Sequence, residues 1–156
     1  FIFFGLMNDG GNPAVIEYNV RMGDPETEVV MPRLKTDILE LFAATATGHL
    51  ADAAFELDER YCTTVMLVAG GYPGSYEKGN SITGLEDVKD SIVFHAGTKA
   101  ENGRVFTNGG RVMAVSSYGH TMEEALLQSY KNVEHIKFKD MNFRRDIGQD
   151  LLKLVH

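Results

Sequence analysis

The chain of 156 residues is 44% hydrophobic and 24% charged, the balance of an ordinary soluble globular protein, which excludes bulk disorder. Its 22 acidic and 15 basic residues leave a formal net charge of −7, the wrong sign for a general nucleic-acid binder, so an anionic ligand needs a local basic site. The one cysteine, Cys62, allows neither an internal disulfide nor a zinc framework and points to a reducing, cytoplasmic setting.

The length suits one domain, or a small domain with a piece of another. The apolar run Phe1–Met7 is too short to span a membrane and lacks the basic flank of a signal peptide. It reads as a buried strand, and a start inside such a strand points to a longer polypeptide. Asn8-Asp9-Gly10-Gly11-Asn12-Pro13 is a dense turn signal and predicts a hairpin. Residues 14–21 then alternate. Ile16, Tyr18 and Val20 face one way, toward a core; Val15, Glu17, Asn19 and Arg21 face the other.

Residues 33–47 predict a helix, with Leu34, Ile38, Leu41, Phe42 and Thr45 on one face and Gly48 as its terminator. The mostly polar stretch from Gly48 to Tyr61 is the expected subdomain boundary. From Cys62 the texture turns to β: strands at Thr63–Ala69, Ile92–Phe94, Arg104–Phe106 and Arg111–Ser117, with Lys99–Gly103 as a connection. Thr121 and Glu124 form a capping box, and Met122, Ala125, Leu126, Ser129, Val133 and Ile136 form a helical stripe. A helix after a run of strands argues for an α+β fold.

The segment Glu17-Tyr18-Asn19-Val20-Arg21-Met22-Gly23-Asp24-Pro25-Glu26 carries the strongest chemical signal. Period-two geometry sets Glu17, Asn19 and Arg21 on one face, about 6.6–6.8 Å apart. A carboxylate beside an amide oxygen suits Mg²⁺, which takes one or two protein groups plus nucleotide phosphates. An arginine one step on suits a phosphoryl group or a carboxylate. Asp24 and Glu26, beyond the glycine, can face an amine or orient Arg21. Alternation by itself also describes a half-exposed strand without chemistry; the order acid, amide, arginine, Gly-Asp-Pro-Glu argues for a site. Asn108-Gly109-Gly110-Arg111 has two readings, a phosphate-holding turn with one arginine or a plain hairpin with a surface arginine. There is no P-loop and no Gly-x-Ser-x-Gly elbow. The five histidines are scattered, Cys62 reads as an inert core thiol, and Arg144 with Asp146 reads as a surface ion pair.

Glu17–Glu28 resembles the metal-binding strand and loop of the phosphoribosylamine–glycine ligase (glycinamide ribonucleotide synthetase) family of the ATP-grasp superfamily. The resemblance continues in family order through Gly5-Leu6-Met7, Pro32–Asp37, Gly70–Gly74, Ile82–Leu85, Phe94–Thr98, Thr107–Val112 and Arg145–Gly148, with Tyr18 where phenylalanine is commoner. It implies the end of an ATP-grasp domain over residues 1–50, then over 51–156 a small, mainly antiparallel β C-terminal domain with a packed helix. It implies ATP-dependent joining of glycine to 5-phosphoribosylamine through a glycyl phosphate, in de novo purine biosynthesis. By resemblance Glu17 and Asn19 hold Mg²⁺ or Mn²⁺, and Arg21 and Asp24 are catalytic. Arg21, Asp24, Glu26 and Arg111 meet substrate, Arg111 at the place where a related transformylase grips the ribose phosphate. The partners implied are these small molecules and the amino-terminal and lid domains of the same polypeptide, with no nucleic acid and no membrane. Residues 1–156 alone are expected to be inactive. The competing expectation is a stand-alone, non-catalytic module.

Overall fold

The structure, a computed structural model, describes residues 1–23 and 25–152. The Asn8–Pro13 signal folds β1 (Phe3–Asp9) back on β2 (Asn12–Asn19) as an antiparallel hairpin. Gly10 and Gly11 take φ of 58° and 96° at the tip, angles that glycine adopts without a Cβ clash. Asn8 Oδ1 accepts a hydrogen bond from Gly11 N at 2.9 Å. Between Gly5 and Leu6 the register shifts, which leaves Ile16 unpaired as a bulge and interrupts the alternation. The strand stops at Asn19, so Val20 and Arg21 lie beyond it. The expectation that Ile16, Tyr18 and Val20 pack on a core is not met: they are 63%, 65% and 88% exposed. A two-stranded hairpin has no second layer to bury its own faces.

The single helix expected over 33–47 is divided. α1 (Thr27–Arg33) starts earlier, and Leu34 after it is extended and bridges to Leu57. α2 (Ile38–Ala46) restarts because Asp37 caps it, its Oδ1 accepting from Leu39 N at 2.8 Å. Gly48, at φ 75°, closes the helix as the sequence predicts.

The remainder is built on two three-stranded antiparallel sheets. One has the order β3 (Tyr61–Val68), β8 (Arg111–Gly119), β5 (Ser91–His95); the other has β4 (Ser81–Ile82), β7 (Arg104–Thr107), β6 (Thr98–Glu101). Thr98–Glu101 is thus a strand, where the sequence suggested a connection. Asn102 and Gly103, at φ 50° and 73°, turn it into β7. Asn108-Gly109-Gly110 is no hairpin turn; it carries the chain from β7 to β8 in the other sheet. The fold is α+β, as the order of elements predicts.

α3 (Met122–Val133) packs on the first sheet. Thr121 Oγ1 accepts from Glu124 N at 3.1 Å, and Glu124 Oε2 accepts from His120 N at 2.8 Å, a capping box displaced by one residue. Val65 and Leu67 of β3, Met113 and Val115 of β8, and Val133 of α3 with Ile136 beyond it are all fully buried and form the core. The chain then returns along the edge of β3, where Asn142 and Val68 exchange backbone hydrogen bonds at 2.8 and 3.0 Å, and ends its described part in α4 (Gln149–Leu152). No helix among the described residues is long and apolar enough to cross a membrane.

Leu67→Ala removes a side chain with no solvent contact from the centre of this core. It should cost about 2–5 kcal/mol. Urea denaturation checks this: the midpoint should fall with an unchanged slope.

Candidate functional site

Glu17 pairs with Gly5, and Asn19 with Phe3, with no register shift between them, so the two side chains share one face of the hairpin. Glu17 is exposed and Asn19 half-buried. A Cβ at Gly5 would lie 2.9 Å from Glu17 Cγ, so the missing side chain leaves the Glu17 side chain its room. One carboxylate and one amide oxygen are hard donors that suit a divalent ion whose other ligands are phosphates and water. Among the described residues no group of three or more His, Cys, Asp or Glu gathers around a metal-sized site. Arg21 is exposed in a bend after the strand, and its Nη1 donates to Met22 O at 3.1 Å. Asp24 lies outside the described residues. Glu26 folds its carboxylate over Gly23, where any Cβ would collide with it.

The loop after Asp24 opens on a cleft of about 710 Å³. Pro25 and Glu26 form one side of it, together with Val29 of α1. Thr63, Thr64 and Met66 along the edge of β3 make its floor, and Met122 and Leu126 of α3 make a wall. Arg111, the first residue of β8, lines the same cleft. Glu26 and Arg111, far apart in the chain, therefore meet one cavity, while Glu17, Asn19 and Arg21 do not line it.

The Asn108–Gly110 crossing is explained by close packing. Asn108 N–H donates to Gly97 O at 2.7 Å, and a Cβ on Gly97 would lie 2.6 Å from Gly109 Cα. Gly110 is buried against the Tyr72 ring. The Asn108 N–H is thus committed inside the protein, and the glycines serve a close backbone crossing.

Sequence reasoning missed Thr63, Thr64, Met66 and Tyr72 as cleft residues. The near-continuous apolar run of β3 hid that Thr64 and Met66 alternate with the buried Val65 and Leu67 and stay half-open, as does Thr63 near the start of the strand. Arg144 does pair with Asp146, Nε and Nη2 donating to the two carboxylate oxygens at 3.0 and 2.9 Å, yet it also lines the cleft. His95 is exposed, with its Nδ1 2.9 Å from Thr98 Oγ1.

At the entrance to β3, Arg60 grips Asp58 through both carboxylate oxygens, at 2.9 and 2.7 Å, and lies 4.2 Å from the centre of the Tyr118 ring. The guanidinium and the Arg60 N–H hold the Asp58 carboxyl well below the usual carboxylate range. The Tyr118 hydroxyl donates to Pro32 O and ties α1 to the sheet. Cys62 lines the cleft half-buried, and burial pushes its thiol up.

The Cys62 shift has a testable sign. The folded thiol keeps its proton to higher pH than the unfolded one, so any stability it contributes is lost as the solution turns alkaline. Near pH 8 the folded protein should react with iodoacetamide more slowly than the urea-unfolded chain; equal rates would contradict a buried thiol.

Four similarities to known proteins bear on this arrangement. The family model described as phosphoribosylglycinamide synthetase, C domain, matches residues 62–150. The bifunctional purine biosynthetic protein PUR2,5 of Pichia angusta is 48% identical over 155 residues, 97% of this chain and 20% of that protein. A phosphoribosylamine–glycine ligase of Fusobacterium nucleatum is 44% identical over 151 residues, 94% of this chain and 35% of that one. The crystal structure of phosphoribosylamine–glycine ligase from Thermotoga maritima superposes with a TM-score of 0.75 at 36% identity, covering 93% of this chain and 36% of that chain. The chain thus spans between a fifth and about a third of the length of these relatives.

Proposed function

The chain belongs to the phosphoribosylglycinamide synthetase C-domain family, and on that footing we propose that the longer protein is a purine-biosynthetic phosphoribosylamine–glycine ligase. ATP phosphorylates the glycine carboxylate and leaves as ADP. The amine of 5-phosphoribosylamine attacks the resulting carbonyl, phosphate departs, and the amine gives up a proton as the amide of glycinamide ribonucleotide forms. Residues 1–50 are the end of an ATP-grasp domain and 51–156 the carboxy-terminal domain. This segment alone carries a strand, a loop and a cleft, and does not turn over. The reaction is placed in the cytoplasm.

Glu17 and Asn19 would hold Mg²⁺ or Mn²⁺, which when bound neutralises charge between the phosphates. Arg21, exposed after the strand, steadies the transferring phosphoryl or the glycine carboxylate. Asp24 faces the attacking amine, and Glu26, beside it in the loop, orients the same group from the cleft wall. Arg111 receives the sugar phosphate, and a guanidinium matches two phosphate oxygens at once. The observation that carries the reading is the convergence of Glu26 and Arg111 on one cleft directly after the Glu17–Asn19 strand.

Glu17→Ala in the full-length protein should abolish ATP turnover while circular dichroism stays unchanged, since Glu17 is exposed and supports no core. Normal turnover in that variant refutes the ligand role.

A further inference from the structure

Two backbone irregularities bring an aromatic ring and a guanidinium to one corner of the cleft. The first is a bulge in β8. Leu67 of β3 pairs with Met113, but the next residue, Val68, pairs with Arg111, so Val112 is an extra residue. Strict alternation from the fully buried Met113 would send the Arg111 side chain to the core face. The extra residue turns it to the face of Val68, and both side chains line the cleft.

The second is the loop that leaves β3. Ala69 N–H donates to Gly110 O at 2.8 Å and carries the pairing one residue past the strand. Tyr72 N–H then donates to Ala69 O at 3.1 Å, closing a tight turn whose third residue, Gly71, has φ 91°. The turn folds Tyr72 back onto Gly110, the residue before Arg111. A Cβ on Gly110 would lie 2.1 Å from Tyr72 Cδ2 and 2.7 Å from its Cε2, so any other residue there would displace the ring. Tyr76, itself packed partly buried on the core, meets the ring edgewise with centroids 6.0 Å apart. The Tyr72 ring is thus braced by backbone and by an aromatic neighbour, half-buried, in the wall of the cleft.

Core packing alone accounts for an aromatic residue against Gly110, but not for its share of the cleft wall beside Arg111. A sugar phosphate has a charged head and a ring that carries C–H groups on its faces. The head suits a guanidinium, and the C–H groups suit an aromatic surface that keeps water from the phosphate contact.

We propose that Tyr72 is a substrate-contacting specificity residue, its ring the surface on which the ribose of the sugar-phosphate substrate rests while Arg111 takes the phosphate. This rests on the ligase reading, which supplies a sugar phosphate as substrate. On that reading glycine has no sugar, and ATP lies with the metal at Glu17 and Asn19, which do not line this cleft, so neither depends on this ring.

The test uses the full-length protein with Tyr72→Leu, which removes the aromatic surface, and Tyr72→Phe, which keeps the ring and removes only the hydroxyl. Michaelis constants are measured for 5-phosphoribosylamine, glycine and ATP. Tyr72→Leu should raise the first by roughly 3- to 10-fold and leave the other two unchanged. Tyr72→Phe should recover the affinity that Tyr72→Leu loses. If Tyr72→Leu does not fold, Tyr72→Met, which is flexible enough to fill the gap without a ring, takes its place with the same expectation. A rise shared by all three substrates would mark a structural role and overturn the proposal, as would an unchanged constant for 5-phosphoribosylamine. Equal losses in Tyr72→Phe and Tyr72→Leu would put the contact on the hydroxyl and overturn the ring as the sugar surface. Turnover of the unsubstituted protein tests the ligase reading separately, so an active enzyme indifferent to Tyr72→Leu overturns the ring contact and leaves that reading standing.

Discussion

The structure depends on β8 being covered on every side. From Val112 to Ser117 each of its residues is buried, and its backbone is paired with β3 along one edge and β5 along the other. A strand in that position has no water available for its polar groups, so every one needs a protein partner. Its two serines meet that demand on opposite faces. Ser116 donates to Thr64 Oγ1 at 3.0 Å, and Ser117 Oγ lies 2.9 Å from Ser129 Oγ and 2.6 Å from Ser91 Oγ. The register of the sheet and the seat of α3 follow from these contacts together with the Val65, Leu67, Met113, Val115 and Val133 packing. Burial ends at Arg111, where β8 starts and the cleft begins. The most deeply buried of the described strands therefore starts at the cleft's arginine.

Much of this is legible in the residues. Turn chemistry was decisive where a local rule governs: Asn8–Pro13 makes a hairpin, Thr121 caps α3, and Gly48 closes α2. The pattern failed where a distant partner decides. One apolar stripe over 33–47 cannot say that Leu34 will bridge to Leu57 and divide the helix at the Asp37 cap. Asn108-Gly109-Gly110 has hairpin composition, but its glycines are set by the approach of Gly97 and the Tyr72 ring, which no neighbouring residue foretells. Ile16, Tyr18 and Val20 alternate as a core-facing set does, yet a bulge breaks the alternation and among the described residues nothing covers these three.

The candidate site was legible in part for the same reason. Glu17 and Asn19 lie two apart on one strand, a local relation that the sequence states directly. That Glu26 and Arg111 share a cavity is a tertiary fact, set by how the loop after the hairpin meets the start of β8. The acidic chain carries 22 carboxylates against 15 basic groups, so a phosphate must be met by individually placed guanidinium groups rather than by a general positive field. Arg111, held by β8, is such a group.

Arg111 offers the most direct test of whether the cleft receives the sugar phosphate. Isothermal titration of the full-length protein with glycinamide ribonucleotide, unsubstituted and as Arg111→Ala, measures this. A charge-assisted phosphate contact contributes about 1.5–3 kcal/mol, so the variant should bind the nucleotide at least roughly tenfold more weakly while ATP affinity is kept. Equal affinities for glycinamide ribonucleotide in the two proteins would contradict it.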